Sequence, residues 1–292
     1  MTSRRWLATA SYGVLLVSLS GASHAQVPSV DPALLQRSLE MLKQQEATLK
    51  ANPTLPARAA VWEAGAGYIM NLTITMRGMR DQGGREGAQV RSNIVMRYTA
   101  SIPMNYGTPA VLPMLGPQWS LLAARGAGHP EAEARPITMA LEWEEQSDVH
   151  IAAGCTGTDA ATTDTHIVAK GKAGATGPIP LPAGQGYAQA LMQINGLLTS
   201  YSFVGGATFS NQADIVTTSR TVDHCASDRV TNDTKNTRTP VGNLGDFGVD
   251  IKDVPLPPNP QGLKGSRTMP RRFNNWDQPA TIEWNIAPIP AR

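Results

Sequence analysis

The sequence predicts a mainly β protein: an antiparallel β-sandwich-like body with an N-terminal amphipathic helix and long Pro/Gly-rich loops. Two observations predict the β body. Apolar and polar residues alternate with a period of two over long stretches, and turn-forming residues separate these stretches. A third predicts the loops, since many of the 27 Gly and 22 Pro residues fall within 170–186 and 240–270.

Composition limits the class of protein before any element is assigned. The chain has 292 residues, of which 41% are hydrophobic, and its formal net charge is +2. A disordered chain would be poorer in hydrophobic residues and more strongly charged. A nearly neutral protein gives no electrostatic reason to expect nucleic acid as a partner.

The first 25 residues have the pattern of a signal peptide. Arg4 and Arg5 precede an apolar run, and Ser23-His24-Ala25 places small residues where a signal peptidase cuts, before Gln26. The run is shorter than the roughly 20 residues that span a bilayer, which disfavours a membrane anchor. We therefore expect a periplasmic or secreted protein without a transmembrane segment after cleavage, exported by the general secretory route or, alternatively, by the twin-arginine route.

Residues 26–55 should contain the helix and a linker. Asp31-Pro32 is a good helix start, because Asp caps the N-terminus and Pro fits the first turn. Leucines at helical spacing follow, at Leu35, Leu39, Leu42 and Leu49, and Asn52-Pro53 ends the run. Barely two heptads are available, which favours a docked helix over a coiled coil.

Residues 56–292 should form the β-rich domain, as one body or as two sub-sheets divided near 170–186. Its clearest element is a long antiparallel hairpin around the turn at 81–87. One face of this hairpin is apolar: Tyr68, Met70, Leu72, Ile74, Met76, Val90, Ile94, Met96, Tyr98, Ile102 and Met104.

A third strand places Ile137, Met139, Leu141 and Trp143 inward, and the same phase continues to Cys155. Further strands are predicted at 167–169, 203–209, 215–222 and 282–286. Residues 187–201 are ambiguous: their apolar spacing fits a helix better than a strand, although Gly196 weakens a helix.

Charged residues of opposite sign lie on the polar sides of these strands. Arg77, Arg91 and Arg97 belong to the hairpin, whereas Glu142 and Glu144 belong to the third strand. If the third strand pairs with the hairpin, these residues should form cross-strand ion pairs. A basic binding face is the alternative, and the acidic strand makes it weaker.

Cys155 and Cys225 are the two cysteines of the chain. An oxidising compartment permits a disulfide, and no CxxC motif suggests another use. Polar residues surround both cysteines: His150, Asp159, Asp164 and His166 flank Cys155, and Asp223-His224 precede Cys225. The candidate metal ligands among them are His150, His166, His224 and Asp223. Their spacing matches no compact ligand set, so polar loop residues around a disulfide are the favoured interpretation, and no cofactor is expected.

Methionines concentrate in the hairpin, at Met70, Met76, Met79, Met96 and Met104. A surface for apolar ligands is one interpretation. Core filling is favoured, because all of these except Met79 share the inward phase.

No short catalytic motif is present, including GxSxG, HExxH, SxxK and the Walker loop. The catalytic residues, if any, are unknown. The favoured function is therefore a non-enzymatic envelope or secreted protein that binds or scaffolds another macromolecule, such as an envelope protein or a surface polymer. A periplasmic carrier of an apolar ligand and a metal-dependent hydrolase are the alternatives.

Overall fold

A computed structural model describes residues 67–83, 88–106, 118–120, 135–155, 158–178, 186–195, 199–209, 211–257 and 262–289, with isolated helical positions at 36, 40, 43 and 47. The predicted signal peptide and almost all of the predicted N-terminal helix lie outside these residues and stay predictions. Contacts divide the chain into two compact units, 1–40 and 41–292, and every strand belongs to the second. The described residues include no helix that is long and apolar enough to cross a bilayer.

The described part of the chain contains twelve β-strands and two short 3-10 turns, at His224–Ala226 and Val241–Asn243. The strands are β1 (Gly67–Gly83), β2 (Ala88–Tyr106), β3 (Gln118–Ser120), β4 (Ile137–Cys155), β5 (Thr158–Gly177), β6 (Gly186–Ile194), β7 (Ser200–Phe209), β8 (Gln212–Asp223), β9 (Arg229–Pro240), β10 (Val249–Pro255), β11 (Leu263–Phe273) and β12 (Trp276–Pro288).

All strand pairs are antiparallel, and they form a sheet that divides at β2. The first layer runs in the order β11-β12-β1-β2-β4-β5-β8-β9, whereas β3, β6, β7 and β10 form the second layer. The division arises because β2 pairs with β4 as far as Ser101 and with β3 at Asn105 and Tyr106. The prediction of a mainly β, antiparallel, sandwich-like body is confirmed.

The two layers pack on each other through the predicted apolar face of the hairpin. Ile74, Met76 and Tyr98 are at most 1% exposed. The Tyr98 hydroxyl donates to Ala207 O at 2.6 Å and accepts from Ala207 N at 2.9 Å, which joins β2 to β7. On β12, Trp284 Nε1 donates to the Tyr201 hydroxyl at 2.9 Å, so the core joins the layers by directed contacts as well as by apolar packing.

The hairpin, the third strand and the four further strands are confirmed as parts of β1, β2, β4, β5, β7, β8 and β12. The helix favoured for 187–201 is wrong: 186–194 form β6, and β7 begins at Ser200. Ala190, Met192 and Ile194 are buried while Leu191 is exposed, which is the period of a strand. Pairing with β7 overrides the helical spacing of the sequence.

The two Pro/Gly-rich stretches are only partly loops. β5 continues to Gly177, and Gly171 is required there, because an added Cβ would lie 2.1 Å from the ring of Trp143. Within 240–270 the structure places β10 and the first part of β11 instead of one long loop. Pairing with β7 and β12 supplies the order that these sequences do not show by their periodicity.

Candidate functional site: the outer face of the sheet

The first layer has an outer face, formed by the side chains of β1, β2, β4, β5, β8 and β9 that point away from the second layer. One row across it shows its character, because directly opposed residues alternate in charge. The row runs from β2 to β9 through Arg97, Glu142, Lys172, Asp214 and Arg238. Opposite charges in facing positions stabilise neighbouring strands.

In three ion pairs on this face the charged groups are in direct contact. Glu144 Oε2 lies 3.0 Å from Lys170 Nζ, Asp214 Oδ1 lies 2.8 Å from Arg238 Nε, and Asp81 Oδ1 lies 3.2 Å from Arg91 Nε. A hydrogen bond from Gln146 and the ion pair with Lys170 lower the pKa of the Glu144 carboxyl. The outer face is therefore charged but locally neutralised.

The predicted pairing between the hairpin and the third strand is present, with Arg97 opposite Glu142 in the register of β2 and β4. The partners in these three ion pairs differ from the expected ones, which joined the hairpin to the third strand. Glu144 pairs with Lys170 of β5, a residue that sequence reasoning assigned to a loop-like stretch, and Arg91 pairs with Asp81 of β1. The alternation of charge across adjacent strands was the feature of the sequence that could have identified these partners.

Exposed apolar side chains interrupt the charges on the same face. Met79 is 73% exposed, Val95 is 39%, Val216 is 44% and Val230 is 46% exposed. In register, Val95 lies opposite Glu144, and Val216 lies opposite Lys170. Single exposed apolar side chains are common on protein surfaces, and here they lie between fixed charges of both signs.

Two neighbouring clefts make this face uneven. The larger, of about 660 Å³, contains Arg91, His150, Asp164, His166 and Arg220 among its lining residues. The smaller, of about 480 Å³, lies nearer the sandwich core and is lined by Asn93, Val95, Arg97, Glu142, Trp143, Glu144 and Gln146. Both clefts are open to solvent, so they suit contact with a large partner better than enclosure of a small molecule.

The larger cleft is lined by two of the four candidate metal ligands, His150 and His166, and by Asp164, which contacts a third, His224. Asp164 accepts at one oxygen from His150 Nδ1, at 2.6 Å, and at the other from His224 Nε2, at 3.1 Å. The remaining imidazole, His166, contacts Asp148 Oδ1 at 2.6 Å. Because β4 and β5 pair His150 with Asp164 and Asp148 with His166, two histidine–aspartate pairs lie side by side.

The fourth candidate, Asp223, has a structural contact. Its Oδ1 accepts a hydrogen bond from the backbone N–H of Cys225 at 2.9 Å and caps the 3-10 turn at His224–Ala226. Asp164, which belongs to the predicted polar group around Cys155, and Asp228, which sequence reasoning did not single out, are the carboxylates that contact His224. The recurrent His–Asp spacing on β4 and β5 was the signal for Asp164.

The carboxylates of Asp164 and Asp228 favour the protonated form of the His224 imidazole. Hydrogen bonds to Asp228 and Asp164 raise the pKa of His224, and hydrogen bonds from His150 and His224 lower the pKa of Asp164. A protonated ring donates from both nitrogens and has no lone pair for a metal. Within the described residues, no group of three or more His, Cys, Asp or Glu side chains is placed to hold a metal ion.

The two cysteines of the predicted disulfide lie at the same end of the sheet as this histidine–aspartate cluster. Cys155 ends β4, and Cys225 lies in the turn that follows β8; β5 pairs with both strands. Cys225 is not a free thiol. The side chain of Cys155 lies outside the described residues, so the pairing of these two cysteines stays a prediction.

The methionines of the hairpin are core residues, with one exception. Met70, Met76 and Met104 are fully buried and Met96 is 2% exposed, whereas Met79 lies on the outer face. The expectation that they fill the core is confirmed.

No known family matches this chain, and no curated protein matches it significantly.

Proposed function

We propose that this chain is an exported, non-enzymatic protein that binds another macromolecule through the outer face of its first layer. The observation that carries the proposal is the composition of that face. Alternating charges extend across β2, β4, β5, β8 and β9, with exposed apolar side chains and two open clefts between them. Val95 and Val216 are exposed between these charges and would add apolar contact area to an interface.

A protein is the partner that this surface fits best. A polyanionic glycan would require an excess of positive charge, and here every basic residue of the central row has an acidic neighbour. Fixed charges of both signs can select a complementary partner and reject surfaces whose charges do not match. The apolar side chains would supply the desolvated contacts of the interface.

The two alternative functions have less support. A carrier would use the methionine-lined sheet face, but Met70, Met76 and Met104 are packed within the core. A metal-dependent hydrolase would use His150, His166 and His224, but each of these rings contacts a carboxylate. Metal analysis of the purified protein, with and without added Zn²⁺, would test the hydrolase directly.

Site-specific photocrosslinking tests the proposed surface. A photoreactive amino acid replaces Val95 or Val216 on the outer face, or Leu191 on β6 as the control. Val216 and Leu191 are equally exposed, at 44%, so they differ in location rather than in access. We expect one and the same partner to crosslink at Val95 and Val216 in cells, and no partner at Leu191.

A charge reversal sharpens this experiment. Glu142→Lys places a third positive charge between Arg97 and Lys172, and we expect it to reduce crosslinking at Val95 at least fivefold while the protein stays folded. Equal crosslinking at all three positions, or crosslinking that ignores Glu142→Lys, would reject this face as the binding surface.

Export is tested separately from binding. The intact mass of the protein from an envelope or culture fraction should correspond to a chain that begins at Gln26. Ala25→Arg should prevent cleavage, because a large charged side chain does not fit the position before the cut. A full-length chain in the cytoplasm would contradict the proposed location.

A further inference from the structure

β9 is an edge strand whose second edge faces no other strand of the described residues. It pairs with β8 over its whole length, from Arg229 opposite Asp223 to Pro240 opposite Gln212. This register has no shift, and ten of the twelve residues of β9 are consecutively exposed. Every second residue of β9 therefore directs a backbone N–H and C=O away from the sheet.

Most edge strands are interrupted, and this one is not. Bulges, short length and internal prolines are the usual ways in which proteins prevent edge pairing. β9 has twelve residues, no bulge against β8, and a proline only at its last position. Its remaining protective feature is charge, which makes the arrangement of its charged residues decisive.

The sequence of β9 is complementary to itself when two copies run antiparallel about Thr234. In that register Asp233 faces Lys235 of the partner subunit, and Lys235 faces Asp233 of the partner subunit. Thr231 then faces Thr237, Asn232 faces Asn236, and Val230 faces the aliphatic part of Arg238. Two opposite-charge pairs form, and no two like charges meet.

Other symmetric registers are worse. A two-fold axis perpendicular to the sheet must pass through a residue position, because opposed residues share a face. Centring the pair on Asp233 opposes two aspartates, and centring it on Lys235 opposes two lysines. Centring it on Asn232 opposes Arg229 and Lys235, and centring it on Thr231 opposes Arg229 and Asp233 but pairs only residues 229–233. Thr234 is therefore the centre that matches opposite charges over nearly the whole strand.

The two central charges are available for such a contact. Within β8 the neighbours of Asp233 and Lys235 are Ser219 and Thr217, which are uncharged. Neither side chain takes part in an ion pair with another described residue. Pairing with a second copy would therefore replace water around these groups without breaking a contact inside the chain.

We propose that the protein forms a two-fold symmetric dimer in which β9 pairs antiparallel with β9 of a second copy, centred on Thr234. The first layers of the two copies then join into one continuous sheet, with about ten new backbone hydrogen bonds at the junction. This inference goes beyond the proposed function, because it uses the edge of the sheet and leaves the clefts of the outer face open.

Charge exchange tests the pairing. The dissociation constant of the mature protein is measured by sedimentation equilibrium for the native chain, Asp233→Lys, Lys235→Asp and the double variant. Each single change turns two attractive contacts into two repulsive ones, and we expect it to weaken association about tenfold. The double variant exchanges the charges and should recover the native value within about threefold.

Cysteine substitution tests the register. In the proposed pair the two Thr234 positions are directly opposed, close enough for a disulfide. The two Asn232 positions are four residues apart along the strands, about 13 Å. Thr234→Cys should therefore give an oxidised covalent dimer, whereas Asn232→Cys, the matched control on the same face, should not.

The inference has clear points of failure. A native protein that remains monomeric up to its solubility limit would overturn it, and would show that Asp233 and Lys235 keep the edge unpaired. A dimer that ignores the single charge changes, or that crosslinks equally at both cysteine positions, would also overturn it. Circular dichroism of each variant shows that its fold is intact, and none of these outcomes affects the crosslinking test of the outer face.

Discussion

The inner face of β4 passes through two environments, and the comparison shows what determines burial in this protein. In the first half, Ile137, Met139, Leu141 and Trp143 are at most 5% exposed, because the second layer covers them. In the second half the same alternation continues, yet Val149 is only half-buried and Ile151 is 38% exposed. We call these two parts the covered half and the open half of the first layer.

The comparison teaches that alternation reports the orientation of a side chain and not its burial. Period two says that Leu141 and Ile151 point to the same side of the sheet. It does not say how far the opposing layer reaches. The open half must be stabilised by its strand pairing and its charged outer face, while the covered half has a packed core.

Removing a large side chain from the covered half should have the largest effect. Trp284→Ala should lower the free energy of unfolding by about 3–5 kcal/mol, because it opens a cavity beside Phe203 and removes the donor to Tyr201. The comparison change in the open half, Ile151→Ala, should cost less than about 1 kcal/mol, because this side chain is 38% exposed. Urea denaturation measures both, and equal losses would remove the distinction between the halves.

A single added methyl group should also separate close packing from open space. Gly171→Ala should cost about 1–3 kcal/mol, because its Cβ would overlap the ring of Trp143. Gly174→Ala, on the same strand, is the control: the nearest atom to its Cβ would be Met139 O at 3.8 Å. If both alanines are tolerated in thermal melts, the ring of Trp143 is not fixed as described.

The hydroxyl of Tyr98 provides a polar test of the covered half. Tyr98→Phe leaves the buried N–H and C=O of Ala207 without their partner, and we expect a loss of about 1–3 kcal/mol. Tyr187→Phe removes an exposed hydroxyl that contacts Asp246 and should have little effect. An unchanged stability of Tyr98→Phe in urea denaturation would contradict the cross-layer contact.

The smallest expected effect concerns pH and the open half. Because hydrogen bonds to Asp228 and Asp164 raise the pKa of His224, protonation of this ring stabilises the turn after β8 at low pH. That contribution is lost as the pH rises through the raised pKa. In an NMR titration, Asp228→Asn and Asp164→Asn should each lower the midpoint of His224, and Asp233→Asn should leave it unchanged.

Sequence reasoning found the covered half more completely than the open half. Apolar alternation located β1, β2 and the first part of β4, because a covered face leaves a strong periodic pattern. The charged outer face was found only between β2 and β4, since its other members, among them Lys170 and Arg238, lie on strands with weak apolar patterns. Their neighbours depend on strand order, which a single sequence does not display.

The remaining errors have a common physical origin. β6 has apolar residues whose spacing also fits a helix, and only pairing with β7 decides between the two. The hairpin of β11 and β12 turns through Asn274 and Asn275, which have φ of 45° and 64°. Two asparagines suit this left-handed turn, so a local signal for the hairpin existed just beyond the 240–270 stretch whose Gly and Pro content had indicated a loop.

The alternating charges of the outer face also bear on how the strands reach their final alignment during folding. β5 is rich in Ala, Gly and Thr, and such strands can pair in several registers of similar energy. A slip of two residues between β2 and β4 would keep both faces correctly oriented but would separate Arg97 from Glu142 and Arg91 from Asp148. The charges thus favour one alignment of the strands over alignments shifted by two residues. A preference for one alignment would limit the time that the folding chain spends in misaligned, aggregation-prone forms.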